Sequence, residues 1–193
     1  MKIAKNIFYA LGLILAIALV GIYFLPDSYT VTESIEINRP EKSVYYLVSD
    51  YNNWKDWSPW AEMEPNASFT VTGEPGKPGH KLSWKGEKLG KGSLSIRMAA
   101  SNGFLNSDLV FEDPFEATAK DNWNFDEKGN KTVVTWTSTG GLSFPIGRLY
   151  GLTMDETLSK QQKHGLEKLK KLCEALPDVE AIASKADSLP VAP

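Results

Sequence analysis

A chain of 193 residues is sized for one domain plus an appendage. Its apolar fraction of 42%, of which 11% of the chain is aromatic, is enough for a sizeable core and excludes a wholly disordered protein. The net charge of −3, without a basic stripe interleaved with aromatics, argues against a nucleic-acid partner, and the single cysteine, Cys173, excludes an internal disulfide and a cysteine-based metal cluster.

Ile7 to Leu25 is uncharged over 19 residues, about 28 Å as a helix and close to the hydrocarbon thickness of a bilayer. A cleaved signal peptide is the rival reading. Its apolar core normally runs about 7–15 residues, whereas the small-x-small sequence Ala16-Ile17-Ala18 sits in mid-run. The balance favours an uncleaved transmembrane anchor over residues 1–26. Lys2 and Lys5 precede the span, Asp27 follows it, and no Lys or Arg occurs before Arg39. The positive-inside rule then puts the N-terminus in the cytoplasm and the domain outside it, in the periplasm of a Gram-negative host.

Tyr29 to Ile37 alternates as a strand, with Tyr29, Val31, Glu33, Ile35 and Ile37 on one face. Asn38 is placed to cap a short helix running to Asp50, with Pro40 in its first turn. Trp54, Trp57 and Trp60 then follow three apart on a turn-rich segment. Their large rings suit a plug at one end of the core, a ligand wall, or a membrane-interface contact.

Strand patterns with turn punctuation continue as an antiparallel meander. His80, Leu82 and Trp84 share one face; Leu94, Ile96 and Met98 share another; Leu105, Leu109 and Phe111 are in phase. Phe115 to Phe125 alternates throughout, with Ala117, Ala119, Asp121 and Trp123 inward. Lys131 to Thr139 completes about seven strands, and Gly140 to Thr153 reads as an irregular connection. Asp155 to Leu176 is an amphipathic helix of roughly 20 residues. Leu158, Gly165, Leu166, Leu169, Leu172, Cys173 and Leu176 form its apolar stripe. Pro177 ends it, and the small, polar tail over 177–193 reads as disordered.

The order of strand, short helices, six strands and long helix resembles the helix-grip fold of the START-like, or SRPBCC, superfamily. The resemblance is to its polyketide cyclase/dehydrase and lipid-transport branch, and covers Tyr29 to Leu176. It is carried by Ile35-x-Ile37-x-Arg39-Pro40, Val48-Ser49-Asp50 and Asn53-Trp54-x2-Trp57-Ser58-Pro59-Trp60. Gly79-x4-Trp84-x-Gly86, Gly90-x-Gly92 and Gly165-Leu166-x2-Leu169-Lys170 complete the set. The fold class implied is α+β: a curved antiparallel sheet of about seven strands gripping the C-terminal helix over residues 27–176.

The resemblance further implies a cavity between sheet and helix for a hydrophobic small molecule or lipid. Candidate wall residues are Trp57, Trp84, Ile96 and Trp123, with the small Ala117 and Ala119 leaving space, and Gly165 and Leu169 on the helix. A glycine on the stripe costs helix stability of up to about 1 kcal/mol relative to Ala, which close packing or room for a ligand would explain. Three polar side chains have inward phase: Asp121, Glu33 and His80. Burial raises a carboxylate pKa toward the range of a general acid. A carboxylate at a strand end is more commonly wet, however, and an inward histidine more commonly a hydrogen-bonded core group. The reading therefore favours a membrane-anchored, non-enzymatic binding module over a cyclase- or dehydrase-type enzyme or an accessory interaction domain. No cofactor or metal is expected: the two histidines lie far apart, and no phosphate loop or nucleophile elbow occurs.

Overall fold

The computed structural model describes residues 2–100 and 103–176. The tail over 177–193, expected to be disordered, lies outside the described residues. The elements in order are α1 (Lys2–Tyr23), β1 (Ser28–Ile37), α2 (Glu41–Ser49), a 3-10 turn (Tyr51–Asn53), α3 (Trp54–Trp57), α4 (Pro59–Met63), β2 (Ser68–Thr72), β3 (Lys81–Lys85), β4 (Lys91–Ala100), β5 (Phe104–Asp113), β6 (Ala117–Lys128), β7 (Lys131–Gly141) and α5 (Ile146–Ala175). The strands form one antiparallel sheet in the order β1-β7-β6-β5-β4-β3-β2. The chain turns back on itself strand by strand, and the first strand returns to pair with the last. This is the helix-grip arrangement, with α5 on the concave face.

The grip is apolar on the α5 side. Leu166 and Leu169 are almost fully buried with Cys173, against a core that includes Ile37, Val44, Val134 and Trp136. Each such leucine contributes on the order of 1.5–3 kcal/mol by leaving water. Gln162 lies on the same stripe and is also fully buried. The helix ends are tied by polar contacts. The Asn38 backbone N–H and Nδ2 both donate to Glu174 Oε1, at 2.9 and 2.8 Å, and Arg39 Nη2 donates to the Glu174 carbonyl. Asn38 thus secures the last turn of α5 and does not cap α2, whose N-cap position is Pro40.

Three local readings are revised. α5 begins at Ile146, so most of the connection expected over Gly140 to Thr153 is helical. Its first turns leave Ile146, Leu149, Tyr150 and Leu152 exposed, so no stripe marks them as a helix that packs on a sheet. In β4 the pairing slips between Ile96 and Met98, which inverts the alternation: Ile96 is buried, Met98 is exposed, and Ala99 packs on the core. In β6 the inward phase holds for Ala119, Asp121, Trp123 and Phe125, whereas Ala117 at the strand start and Phe115 before it are exposed.

α1 is long and apolar enough to cross a membrane or to serve as a signal sequence. It meets the domain at the start of α5. Arg148 Nη1 donates to the Tyr23 carbonyl, its guanidinium lies 5.5 Å from the Tyr23 ring centre, and the Tyr23 and Phe144 rings are 6.4 Å apart.

Candidate functional site

A cavity of about 220 Å³ lies between the sheet and the segment from α2 to α4. Its wall includes Trp54, Trp57 and Trp60 from the short helices, Trp84 from β3, Trp123 from β6 and Trp136 from β7. The chain has six tryptophans, and all of them line this one space. They also hold one another in place. Trp123 and Trp136 stack at 4.3 Å across the β6–β7 pair, Trp57 stands edge-on to both at 5.7 and 6.2 Å, and Trp60 meets Trp136 at 5.5 Å. Aromatic pairs in these geometries add about 0.5–1.5 kcal/mol each beyond their burial.

The local sequence explains the placements. Two alternating strands paired in register put Trp123 directly opposite Trp136. Trp84 lies over Gly92, its cross-strand partner; a β-carbon at that position would collide with the indole and with the Val110 carbonyl. The Trp57 and Trp84 indole N–H groups donate to the carbonyls of Leu47 and Leu89, both at 3.3 Å. Trp136 Nε1, equally buried, has no hydrogen bond of full geometry.

One carboxyl group lines this apolar space. Asp121 is 4% exposed, and register sets Ser107 beside it on β5 and Ser138 beside it on β7. Gln162 Nε2 donates to Ser138 Oγ at 2.9 Å, and the Ser138 hydroxyl donates in turn to Asp121 Oδ1. Burial pushes the Asp121 pKa up to about 6, with the Ser138 hydroxyl and the nearby Trp136 indole N–H opposing the rise. Tyr51, which also lines the cavity, shares a 2.8 Å hydroxyl–hydroxyl hydrogen bond with Ser107 behind it. Burial raises the Tyr51 pKa above the usual phenol range, so this group is a neutral hydrogen-bonding side chain.

His80 holds that tyrosine in position without lining the cavity. Its ring stacks on Tyr51 at 4.9 Å, and its Nε2 accepts the Tyr51 backbone N–H at 3.0 Å. The ring proton is thereby assigned to Nδ1, facing the carbonyls of Thr72 and Gly73 at 3.1 and 3.3 Å. Glu33 is remote from the cavity: its Oε1 accepts from Ser159 Oγ at 2.6 Å and pairs with Lys163 at 3.4 Å on the flank of α5.

The structure brings Trp57, Trp84, Trp123 and Asp121 together around the cavity. Ile96 is buried beside that set without lining it. Ala117 and Ala119 line a separate open groove of about 630 Å³, with Tyr29, Phe115, Phe144, Ile146 and Tyr150. Gly165 and Leu169 belong to the packed interface of α5, which sends no side chain into the cavity. The cavity is therefore roofed by α2 to α4 and not by the C-terminal helix. Of the polar groups, Tyr51 lines the cavity beside Asp121, while Ser107, Ser138 and Gln162 are hydrogen-bonded behind its wall. All four escaped the sequence reading, although Gln162 sits at the centre of the apolar stripe, seven residues before Leu169.

Met63 and Lys88 are the exposed members of the cavity wall and mark its mouth. Glu64, just past α4, closes over the β3–β4 turn: its carboxylate accepts the backbone N–H groups of Glu87, Lys88 and Leu89 at 2.7, 2.9 and 2.9 Å. These bonds, the one from Leu89 foremost, hold its pKa below the ordinary carboxylate value. Among the described residues no group of three His, Cys, Asp or Glu side chains is placed to hold a metal.

Comparison with known proteins agrees with this architecture. The family model described as polyketide cyclase / dehydrase and lipid transport matches residues 28–174. Among solved structures, a protein from Mesorhizobium loti superposes with a TM-score of 0.56 at 15% identity, covering 77% of this chain and 99% of its own. The protein XoxI from Bacillus cereus gives 0.56 at 15% identity, covering 76% and 96%. Norcoclaurine synthase from Thalictrum flavum, solved in complex with dopamine and hydroxybenzaldehyde, gives 0.56 at 12% identity, covering 78% and 90%. At these identities the likeness is one of fold. A comparison with curated proteins finds no significant match.

Proposed function

The chain belongs to the polyketide cyclase / dehydrase and lipid transport family, and we propose that it is a membrane-anchored, non-enzymatic module that binds a small hydrophobic molecule. The observation that carries this reading is the convergence of all six tryptophans on a single cavity. A mostly apolar, enclosed space with a few polar groups is the general form of a small-molecule site. An apolar cavity of ~150 Å³ takes up benzene, so one of about 220 Å³ suits a substituted single ring or a short branched chain. Trp57, Trp84 and Trp123 would contact the ligand, and Tyr51 would offer it a hydroxyl group.

The anchor is α1, whose 22 residues span about 33 Å. Lys2 and Lys5 support an N-terminus in the cytoplasm and a domain outside it. The exposed apolar residues Phe144, Ile146, Leu149, Tyr150 and Leu152, next to the join with α1, support a domain resting close to the bilayer.

Native mass spectrometry of protein released from its membrane tests the ligand reading. A co-purifying small apolar molecule is expected. No bound molecule, together with no uptake of an aromatic probe, would refute it. Labelling a cysteine placed at exposed Lys128 with a membrane-impermeant maleimide tests the topology, and protection in intact cells would reverse it.

A second reading has one specific observation in its favour. Asp121 sits in the cavity with a pKa near neutrality, the range in which a carboxyl group moves protons efficiently. An enzyme using it would retain binding and lose turnover by roughly 10²–10⁴-fold in Asp121→Asn.

A further inference from the structure

We propose that the ligand is an organic cation: a small aromatic or branched apolar body carrying an ammonium group that pairs with Asp121. The inference rests on the cavity being a ligand site, and it adds the chemical class of what enters.

The composition of the wall points this way. Tryptophan is the side chain whose ring attracts cations most strongly, and a cage of such rings is the known means of holding a substituted ammonium away from water. Here all six indoles surround a space that also contains a carboxyl group. A purely apolar ligand needs neither the carboxyl group nor so many electron-rich faces, since leucine and valine would fill the wall as well.

The wiring of Asp121 supports the same conclusion. The hydrogen-bond chain runs in one direction, Gln162 to Ser138 to Asp121, so each donor is committed and the carboxyl group ends the chain as acceptor. Among the described residues no lysine, arginine or histidine forms an ion pair with it, and no positive charge figures among the influences on its ionisation. A carboxylate kept in an apolar site without a counter-charge is costly unless something cationic joins it. The protein holds it there with the Ser138 hydroxyl, itself positioned by Gln162, and leaves the counter-charge to the ligand. An anionic head group would meet the opposite field at the floor.

Three probes of matched size separate charge from shape. Benzyltrimethylammonium is the cation, neopentylbenzene its neutral isostere, and 3-phenylpropanoate the anion. Binding to the full chain in lipid nanodiscs is read from quenching of tryptophan emission, with empty nanodiscs as the blank. The wild-type protein is expected to prefer the cation over both others by about tenfold or more, and Asp121→Asn to remove that preference while keeping the neutral probe. Equal binding of cation and neutral isostere in the wild type, or tighter binding of the anion, overturns the proposal and leaves the cavity as a hydrophobic site. Binding of the cation that is unchanged in a folded Asp121→Asn also overturns it. Uptake of none of the three overturns both this proposal and the binding function beneath it.

Discussion

Gly165 of α5 faces Pro59 at the start of α4 so closely that a β-carbon on it would stand 3.0 Å from the Pro59 Cδ, and 3.4 Å from Cζ3 of Trp136. The glycine is therefore a contact point between two helices and the tryptophan cluster, and the space beside it is already filled. Gly165→Ala sets a gain in helix propensity of up to about 1 kcal/mol against a tight contact with a rigid ring. Gly165→Leu has nowhere to put its side chain and is expected to cost about 1–3 kcal/mol by overpacking, read from a urea titration. A leucine tolerated without loss would show that α5 is free to move off α4.

The grip itself is tested by two positions on α5. Leu169 is fully buried, and Leu169→Ala is expected to cost about 2–5 kcal/mol through lost burial and the cavity left behind. Lys171 is exposed on the outer face, and Lys171→Ala should stay within roughly 0.5 kcal/mol. Similar midpoints for the two variants would mean that the helix is not clamped by the sheet.

Asp121 makes stability depend on pH with a sign opposite to the usual carboxylate. Its folded pKa of about 6 lies above the ordinary 3.8, so between those values the folded state holds the proton more firmly than the unfolded chain. Stability from this group is thus fully present below about pH 4 and is lost as pH rises through 6. At pH 7 the buried charge costs on the order of 2–3 kcal/mol, and Asp121→Asn should recover much of it. Glu36, Glu62 and Glu174, whose pKa values are lowered by lysine, histidine or backbone partners, act in the reverse sense. The readout is therefore the difference in denaturation midpoint between wild type and variant at pH 4 and at pH 7. A difference that does not grow with pH would place Asp121 in contact with water.

Cys173 offers a reporter of opening. Burial, aided by the neighbouring Glu174 charge, pushes its thiol up to about 12, so almost no thiolate forms at neutral pH. It should resist a maleimide at pH 8 in the native protein and react fully in denaturant. Rapid labelling of the native protein would show that the last turns of α5 fray from the sheet.

Much of this molecule was legible because its information is local. The two-residue alternation of β6 placed Asp121 and Trp123 inward, and the helical wheel around Leu169 found Gly165, Leu166 and Cys173. What stayed hidden depends on partners distant in the chain. The slip at Ile96/Met98 is a property of the pairing with β5, and a single strand cannot display it. Ser107 and Ser138 gain meaning only when register sets them on either side of Asp121. Asn38 had a good local partner as a helix cap, but Glu174, 136 positions away, took it. The enclosed cavity lies under α2 to α4 because α5 packs flush on Pro59 and Trp136 at Gly165. The space that α5 does share with the sheet is the open groove at its first turns, beside Ala117 and Ala119.

The Glu64 clasp has a consequence for rates. Leu89 and Phe111 line both the inner cavity and the outer groove that runs past Phe144 and Ile146, so these two side chains form the partition between them. The carboxylate of Glu64 holds the backbone of one of the two, Leu89, so a movement of the partition at Leu89 would have to break that bond. A molecule passing between groove and cavity by this route, and not through the mouth at Met63 and Lys88, would have to wait on that movement both to enter and to leave. Glu64→Ala should accelerate uptake and release of a probe together in stopped-flow traces, with a much smaller change in their ratio. The site would then be a slow reservoir in the wild type, its residence time set by three backbone hydrogen bonds and not by the strength of its grip on the guest.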